Sequence, residues 1–215
     1  QNTQQTAKPA EQMNLFEDKL LDVNHKQDYR IIGQLFDTYW LIEFEDSFYM
    51  MDQHAAHEKI LYERLMKQFH EKTYHSQMIM PPVILTLSLR EEQILKENWK
   101  TFTALGYEIE EFGGKEYKVT GLPAELPTVI DCKQLLIELI DTIADESATH
   151  DPERITEKVA SMSCKAAVKG NNRLSFKEAE ELMRELMEAE NPYNCPHGRP
   201  TLIKMTKYEI ERKFK

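Results

Sequence analysis

The sequence is short of positive charge. Its 27 Lys and Arg stand against 37 Asp and Glu, a formal net charge of −10 at neutral pH. That excludes a protein that holds nucleic acid by bulk charge, so any contact with DNA must be local or recruited. Long apolar runs are also missing: stretches such as Tyr39-Trp-Leu-Ile and Pro82-Val-Ile-Leu fall far below the roughly 20 residues of a membrane span. Cysteine is scarce and odd in number, with only Cys132, Cys164 and Cys195. A disulfide framework is therefore excluded, and a reducing cytoplasm, where the thiols stay free to bind metal, is expected. No apolar signal segment opens the chain, which starts at Gln1 rather than Met and reads as a piece of a longer protein. There is no internal repeat. What is present suffices for a core: 215 residues, 41% of them hydrophobic, can form one large domain or two small ones.

Residues 1–27 are polar, with a Lys-Pro-Ala break, and read as a flexible linker or tail. From Tyr29 the composition turns aromatic and β-branched. Three runs, Tyr29–Phe36, Tyr39–Phe44 and Ser47–Met51, predict a three-stranded antiparallel meander. The period then becomes helical from Asp52, which is suited to cap the first turn. The pattern breaks between Thr73 and Pro82, and a strand is expected from Val83. Ser88-Leu-Arg-Glu91 is a capping box for a helix ending near Gly106. A hairpin turning at Gly113-Gly114 follows, then a helix from Leu135 to Ile143, so that residues 81–143 read as a self-contained block. Further helices are predicted over 155–169 and from the capping box Ser175–Glu178 to Ala189, before a strand near Thr201–Met205.

Chemistry is concentrated in three places. His54 and Glu58, four apart on a helix, project from one face at the spacing that two ligands of one ion require, with Asp52 at the helix mouth. Taken alone, the same pair reads as an ordinary solvated face. In Cys195-Pro196-His197 the residue before proline favours extended backbone, which turns the thiol and the imidazole toward one target; alone, it reads as a buried Cys beside a loop His. Together these residues form a mixed set of five. Thiolate and imidazole suit zinc, carboxylates suit manganese or magnesium, and two adjacent ions are suited to phosphodiester cleavage. The third place is Ser161–Lys169, where Cys164 is either a small buried residue or a neighbour of the metal. Lys165, Lys169 and Arg199 are either phosphate contacts or solvated charges.

These residues assemble into a resemblance. Asp52-Gln-His-Ala, Glu58 and Glu63 match in full the endonuclease motif of the C-terminal domain of the MutL family of DNA mismatch repair proteins. Ser-Cys-Lys at 163–165 resembles the family's Ala-Cys-Arg, and Cys195-Pro-His-Gly-Arg-Pro200 matches its counterpart without change. Ile210-Glu-Arg is similar to the closing Phe-x-Arg, with Ile where Phe is expected. The resemblance runs over roughly residues 28–215 in the family's motif order.

The resemblance implies an α+β fold. An antiparallel-sheet dimerisation subdomain would be built from both chain ends, over 28–72 and 153–215, with a smaller α/β external subdomain inserted over 73–152. A homodimer would form through the strands of 29–50 and 200–215, placing Leu35, Trp40 and Ile42 in the core or interface. The implied activity is a latent, metal-dependent endonuclease that nicks the newly made strand. Asp52, His54, Glu58, Cys195 and His197 would hold the metals with Cys164 close by, zinc in a regulatory or structural role and manganese for nicking. Asp52, His54 and Glu58 would be catalytic, and Gln53, Glu63, Lys165 and Arg199 supporting. Glu63, five residues past Glu58, should point off that face. The implied partners are DNA, the replication sliding clamp and, through the full-length protein, the mismatch-recognition protein MutS. The family's ATP-binding domain would lie outside this sequence, so no ATP site is expected. Gln77-Met78-Ile79-Met80-Pro81 sits where bacterial relatives carry the clamp-binding motif, and Gln12, Leu15 and Phe16 of the tail form a second candidate. The alternative is a non-catalytic dimerisation module with structural zinc, the kind of relative that lacks Asp-Gln-His-Ala.

Overall fold

The alternating residues after Tyr29 become a sheet with two different faces. The computed structural model describes residues 29–127, 131–146, 152–169 and 174–215; the tail, with Gln12, Leu15 and Phe16, lies outside them. Strands β1 (Arg30–Leu35), β2 (Tyr39–Phe44) and β3 (Ser47–Asp52) pair antiparallel as predicted. The late strand β7 (Leu202–Thr206) joins β3, giving the order β1-β2-β3-β7. Register puts Trp40 opposite Met51 and Met51 opposite Leu202, and Ile42 opposite Tyr49. These side chains are buried and form one core with Leu182, Met183 and Leu186. The alternate row, Leu41 opposite Met50 and Met50 opposite Ile203, lies on the other face. Trp40 and Ile42 thus belong to the core, whereas Leu35 is partly exposed.

Helix α1 (Gln53–Glu71) leaves β3 directly and ends where Lys72 turns left-handed at φ 55°. A second sheet, in the order β4-β6-β5, is built from β4 (Ser76–Thr86), β5 (Glu108–Gly113) and β6 (Glu116–Pro123). Strand β4 runs straight through Pro81-Pro82, where a break was expected. As an edge strand it tolerates residues that cannot donate to a ladder, and its pairing with β6 slips between Met78 and Val83. The expected single helix from Ser88 to Gly106 is two, α2 (Leu89–Glu97) and α3 (Trp99–Ala104). They divide at Asn98, whose side chain donates to the Ile94 carbonyl. Helix α4 (Cys132–Glu146) covers the second sheet.

The last helices are α5 (Pro152–Lys169), α6 (Phe176–Glu188), opened by the Ser175–Glu178 capping box, and the short α7 (Lys207–Arg212). The middle block is not self-contained. Its buried cluster takes in Leu65 and Met66 of α1 and Val159, Ala160, Cys164 and Ala167 of α5, because one face of a two-layer block still needs cover. The architecture is α+β with antiparallel sheets. Helices α1 and α5 run together between the two cores, and this seam carries the site. Among the described residues no helix is long and apolar enough to cross a membrane.

Candidate metal centre

Asp52 ends β3 in extended conformation, and its Oδ1 accepts the N–H groups of His54 at 2.9 Å and Ala55 at 3.1 Å. It is the helix cap expected from the sequence. The same junction is stitched sideways. The Asp52 N–H donates to the Thr201 carbonyl at 2.9 Å, and the Gln53 N–H to that of Thr38 at 3.1 Å. The chain just before β7 is thereby held against the start of α1.

That chain is the Cys195–Pro200 loop. It is a tight turn rather than an extended segment. The Gly198 N–H donates to the Cys195 carbonyl at 2.9 Å, and the Cys195 N–H to that of Arg199 at 2.8 Å. Gly198 takes φ +78°, a conformation that residues with a Cβ rarely adopt. Cys195 and His197 do face one target, but the turn, rather than strand alternation, aims them.

The target is Glu58. One ligand atom each from Glu58, Cys195 and His197 lies within 4.8 Å of the other two, and no other group of three such donors gathers as closely among the described residues. The Glu58 side chain is only 5% exposed, so its charge needs company. Arg199 Nη2 donates to Oε2 at 2.7 Å, and His197 Nδ1 lies 3.3 Å from the same oxygen. The hydrogen bond to Glu58 raises the already high pKa of Arg199. Carboxylate, thiol and imidazole form the mixed oxygen, sulfur and nitrogen set that zinc accepts, so the donors present fit such an ion.

Asp52 and His54 stand outside this trio. Asp52 caps the helix with Oδ1, and His54 Nδ1 lies 3.9 Å from that same oxygen. The i, i+4 spacing leaves His54 one-third exposed while Glu58 is buried. Cys164 is fully buried on α5. Burial first, then the charge of Glu58, pushes its thiol well above the usual range. Lys165 is exposed, Arg199 is half-exposed and paired with Glu58, and the side chain of Lys169 lies outside the described residues.

The supporting residues have definite tasks. Gln53 is buried, and its Oε1 accepts Trp40 Nε1 at 3.2 Å and Gln34 Nε2 at 3.1 Å. Glu63 does leave the Glu58 face. It accepts the N–H groups of Glu190 at 2.9 Å and Asn191 at 3.3 Å, and pairs with Lys59 at 2.8 Å. It thus ties the approach to the Cys195 loop to α1. Ser163 joins α5 to Tyr107, the residue just before β5, with the two hydroxyl oxygens 2.6 Å apart. Two features carried no sequence signal of their own. Ser161 Oγ lies 3.1 Å from His197 Nε2, and a cleft of about 470 Å³ opens beside them, lined also by Tyr62, Arg154 and Lys158. A larger cleft of about 970 Å³ is walled by paired charges such as Arg64 and Glu185 and holds none of the trio.

Along β4, Met78 and Met80 are exposed and Ile79 packs inward. Gln77 is engaged within the fold, donating to the carbonyls of Pro123 and Leu126.

Comparison with known proteins agrees with the motifs. The family described as the MutL C terminal dimerisation domain matches residues 32–174. The DNA mismatch repair protein MutL of Agathobacter rectalis is 54% identical over 190 residues, covering 88% of this chain and 29% of that protein. The MutL of Caldanaerobacter subterraneus subsp. tengcongensis is 39% identical over 194 residues, 90% of this chain and 32% of its own length. That of Clostridium perfringens is 38% identical over 186 residues, 86% of the chain and 27% of the relative. The chain therefore spans about three-tenths of the length of these relatives. With the family match over most of the folded residues and relatives of this identity covering nearly all of the chain, the protein belongs to the MutL family, as a C-terminal domain of the dimerisation type.

Proposed function

We propose that this chain is the dimerising, metal-dependent nicking endonuclease domain of a mismatch repair protein. The observation that carries the reading is the convergence of Glu58 from α1 with Cys195 and His197 from a loop 137 and 139 residues further on. A thiol, an imidazole and a buried carboxylate brought together from distant parts of the chain supply the kind of donor set a zinc ion takes. In this reading Glu58, Cys195 and His197 hold zinc. Asp52 and His54 at the mouth of α1 extend the set for manganese, and Cys164 backs it. A bound divalent cation supplies electrostatic stabilisation of the oxygens of a phosphodiester undergoing cleavage. Exposed Lys165 would meet DNA phosphates, and Arg199, paired with Glu58 but half-exposed, would support them.

The sheet of the two chain ends, with α1, is the dimerisation part (28–72 and 153–215), and 73–152 is the external part. The apolar row Leu41, Met50 and Ile203 supports a homodimer through the outer sheet face. The chain's acidity calls for delivery to DNA by a partner. Exposed Met78 and Met80 on the β4 edge support clamp docking over Gln77–Pro81, while Gln12, Leu15 and Phe16 stay a second candidate. The ATP-binding domain and the link to mismatch recognition belong to the full-length protein.

The test is nicking of supercoiled plasmid with manganese, with and without the sliding clamp, comparing the chain with Asp52→Asn and Glu58→Lys. Clamp-stimulated nicking that both variants lose, with dimer and fold intact, is the expected result. A second reading has its own observation: the tight trio alone, with Asp52 committed to a helix cap, also suits a structural zinc in a module that only dimerises and holds partners. Absence of nicking in a zinc-loaded dimer would select it.

A further inference from the structure

The metal-holding reading leaves one contact unexplained, the buried hydroxyl of Ser161 on the far side of the His197 ring. Ser161 is 8% exposed. It sits on α5 one helical turn before Cys164, and its Oγ lies 3.1 Å from Nε2 while Nδ1 faces Glu58 Oε2 at 3.3 Å. The ring is therefore held at both nitrogens, one turned to the gathered donors and the other to α5.

The geometry points to Ser161 as the positioning residue that selects Nδ1 of His197 as the ligand atom and keeps the ring in place with or without an ion. This rests on the reading of Glu58, Cys195 and His197 as a metal centre. The chemistry follows from the inventory of donors. A neutral imidazole carries one proton. With no ion, Nδ1–H donates to Glu58, and Nε2 accepts the Ser161 O–H. With an ion, Nδ1 offers its lone pair, the proton resides on Nε2, and Nε2–H donates to Ser161 Oγ. A hydroxyl serves both cases because it rotates between donor and acceptor, so the ring need not turn when the ion arrives. A carboxylate or a carbonyl at this place would accept only. Partners of this kind behind a ligating His are worth about 10- to 100-fold in metal affinity.

The experiment uses the full chain, stripped of metal and titrated with zinc against a chromophoric chelator, for the parent, Ser161→Ala, Ser161→Thr and His197→Ala. Ser161→Ala is expected to bind zinc at least about tenfold more weakly while staying folded without metal, its metal-free melting temperature lowered by no more than the loss of one hydrogen bond, and Ser161→Thr to stay within about threefold of the parent. In the zinc-loaded parent, nitrogen-15 correlation spectra of the His197 ring should show a protonated Nε2 and a liganded Nδ1. Zinc affinity of Ser161→Ala within twofold of the parent would overturn the assignment. So would an equal loss in Ser161→Thr, which would make the effect one of packing, or a ring liganded through Nε2. If the parent itself binds no zinc, or His197→Ala binds as tightly as the parent, the metal centre falls and the role of Ser161 falls with it.

Discussion

Glu63→Gln is expected to loosen the approach to the Cys195 loop without touching any donor of the trio. The Glu63 carboxylate receives the N–H groups of Glu190 and Asn191 and the ammonium of Lys59. Gln keeps one acceptor oxygen but turns an NH₂ toward the other donors, so one charge-assisted hydrogen bond and the ion pair are lost. A hydrogen bond to a charged group contributes about 1.5–3 kcal/mol. The N–H groups lie near solvent, where water takes over part of that, and a partly exposed ion pair adds less than about 1 kcal/mol. The net cost is about 2 kcal/mol, or a fall of about 4–8 °C in melting temperature for a domain of this size. The pH dependence has a definite sign. Burial alone would raise the pKa of Glu63, but the hydrogen bonds from Lys59, Glu190 and Asn191 outweigh it and hold the pKa below the ordinary 4.5. A depressed carboxyl stabilises the fold above about 4.5 and loses that contribution as pH falls through its lower folded value. The gap between parent and variant should therefore be widest near neutrality and close in acid. Thermal melts of the metal-free proteins between pH 3 and 7, with amide exchange at residues 190–198, provide the check. A gap under about 1 °C at neutral pH, or one that widens in acid, would refute the reasoning.

Two further outcomes follow from the same geometry. Gln53→Ala strands the buried Trp40 indole N–H and should cost about 1–3 kcal/mol, read from denaturant midpoints followed by tryptophan fluorescence; a cost under about 0.5 kcal/mol would mean that water replaces the amide. Ile203→Glu places a charge at the β7 end of the outer sheet row, next to Met50. It should weaken the dimer by on the order of 2–3 kcal/mol, roughly a hundredfold in dissociation constant by analytical ultracentrifugation, and an unchanged dimer would move the interface elsewhere.

The elements were legible where local chemistry and tertiary need agree. The meander from Tyr29, the Asp52 cap, the capping boxes at Ser88 and Ser175 and the Gly113-Gly114 turn all stand where the residues place them. The departures have physical causes outside any local window. Pro81 and Pro82 lie inside a strand because β4 is an edge, and edge position is decided by which strands pair. Asn98 splits a helical run by capping it with its own side chain. The block 81–143 shares its core with Leu65 and with Val159 of α5, since nothing within it covers that face.

Glu58, Cys195 and His197 were legible as candidate residues, but their meeting was not. Spacing on one helix pairs His54 with Glu58, yet the structure pairs Glu58 with residues nearly 140 positions away and leaves His54, one-third exposed, beside Asp52. The reason is burial. A carboxylate sunk to 5% exposure on the α1–α5 seam must have a cation or strong donors beside it. Position 58 therefore recruits Arg199, which the sequence left as either a phosphate contact or a solvated charge, along with His197. Arg199 is drawn to Glu58 because the Cys195–Gly198 turn and the Asp52-to-Thr201 stitch deliver the whole loop to that point. Motif order in the chain names these residues; their distances depend on a backbone bond between the end of one strand and the approach to another, which no spacing rule contains.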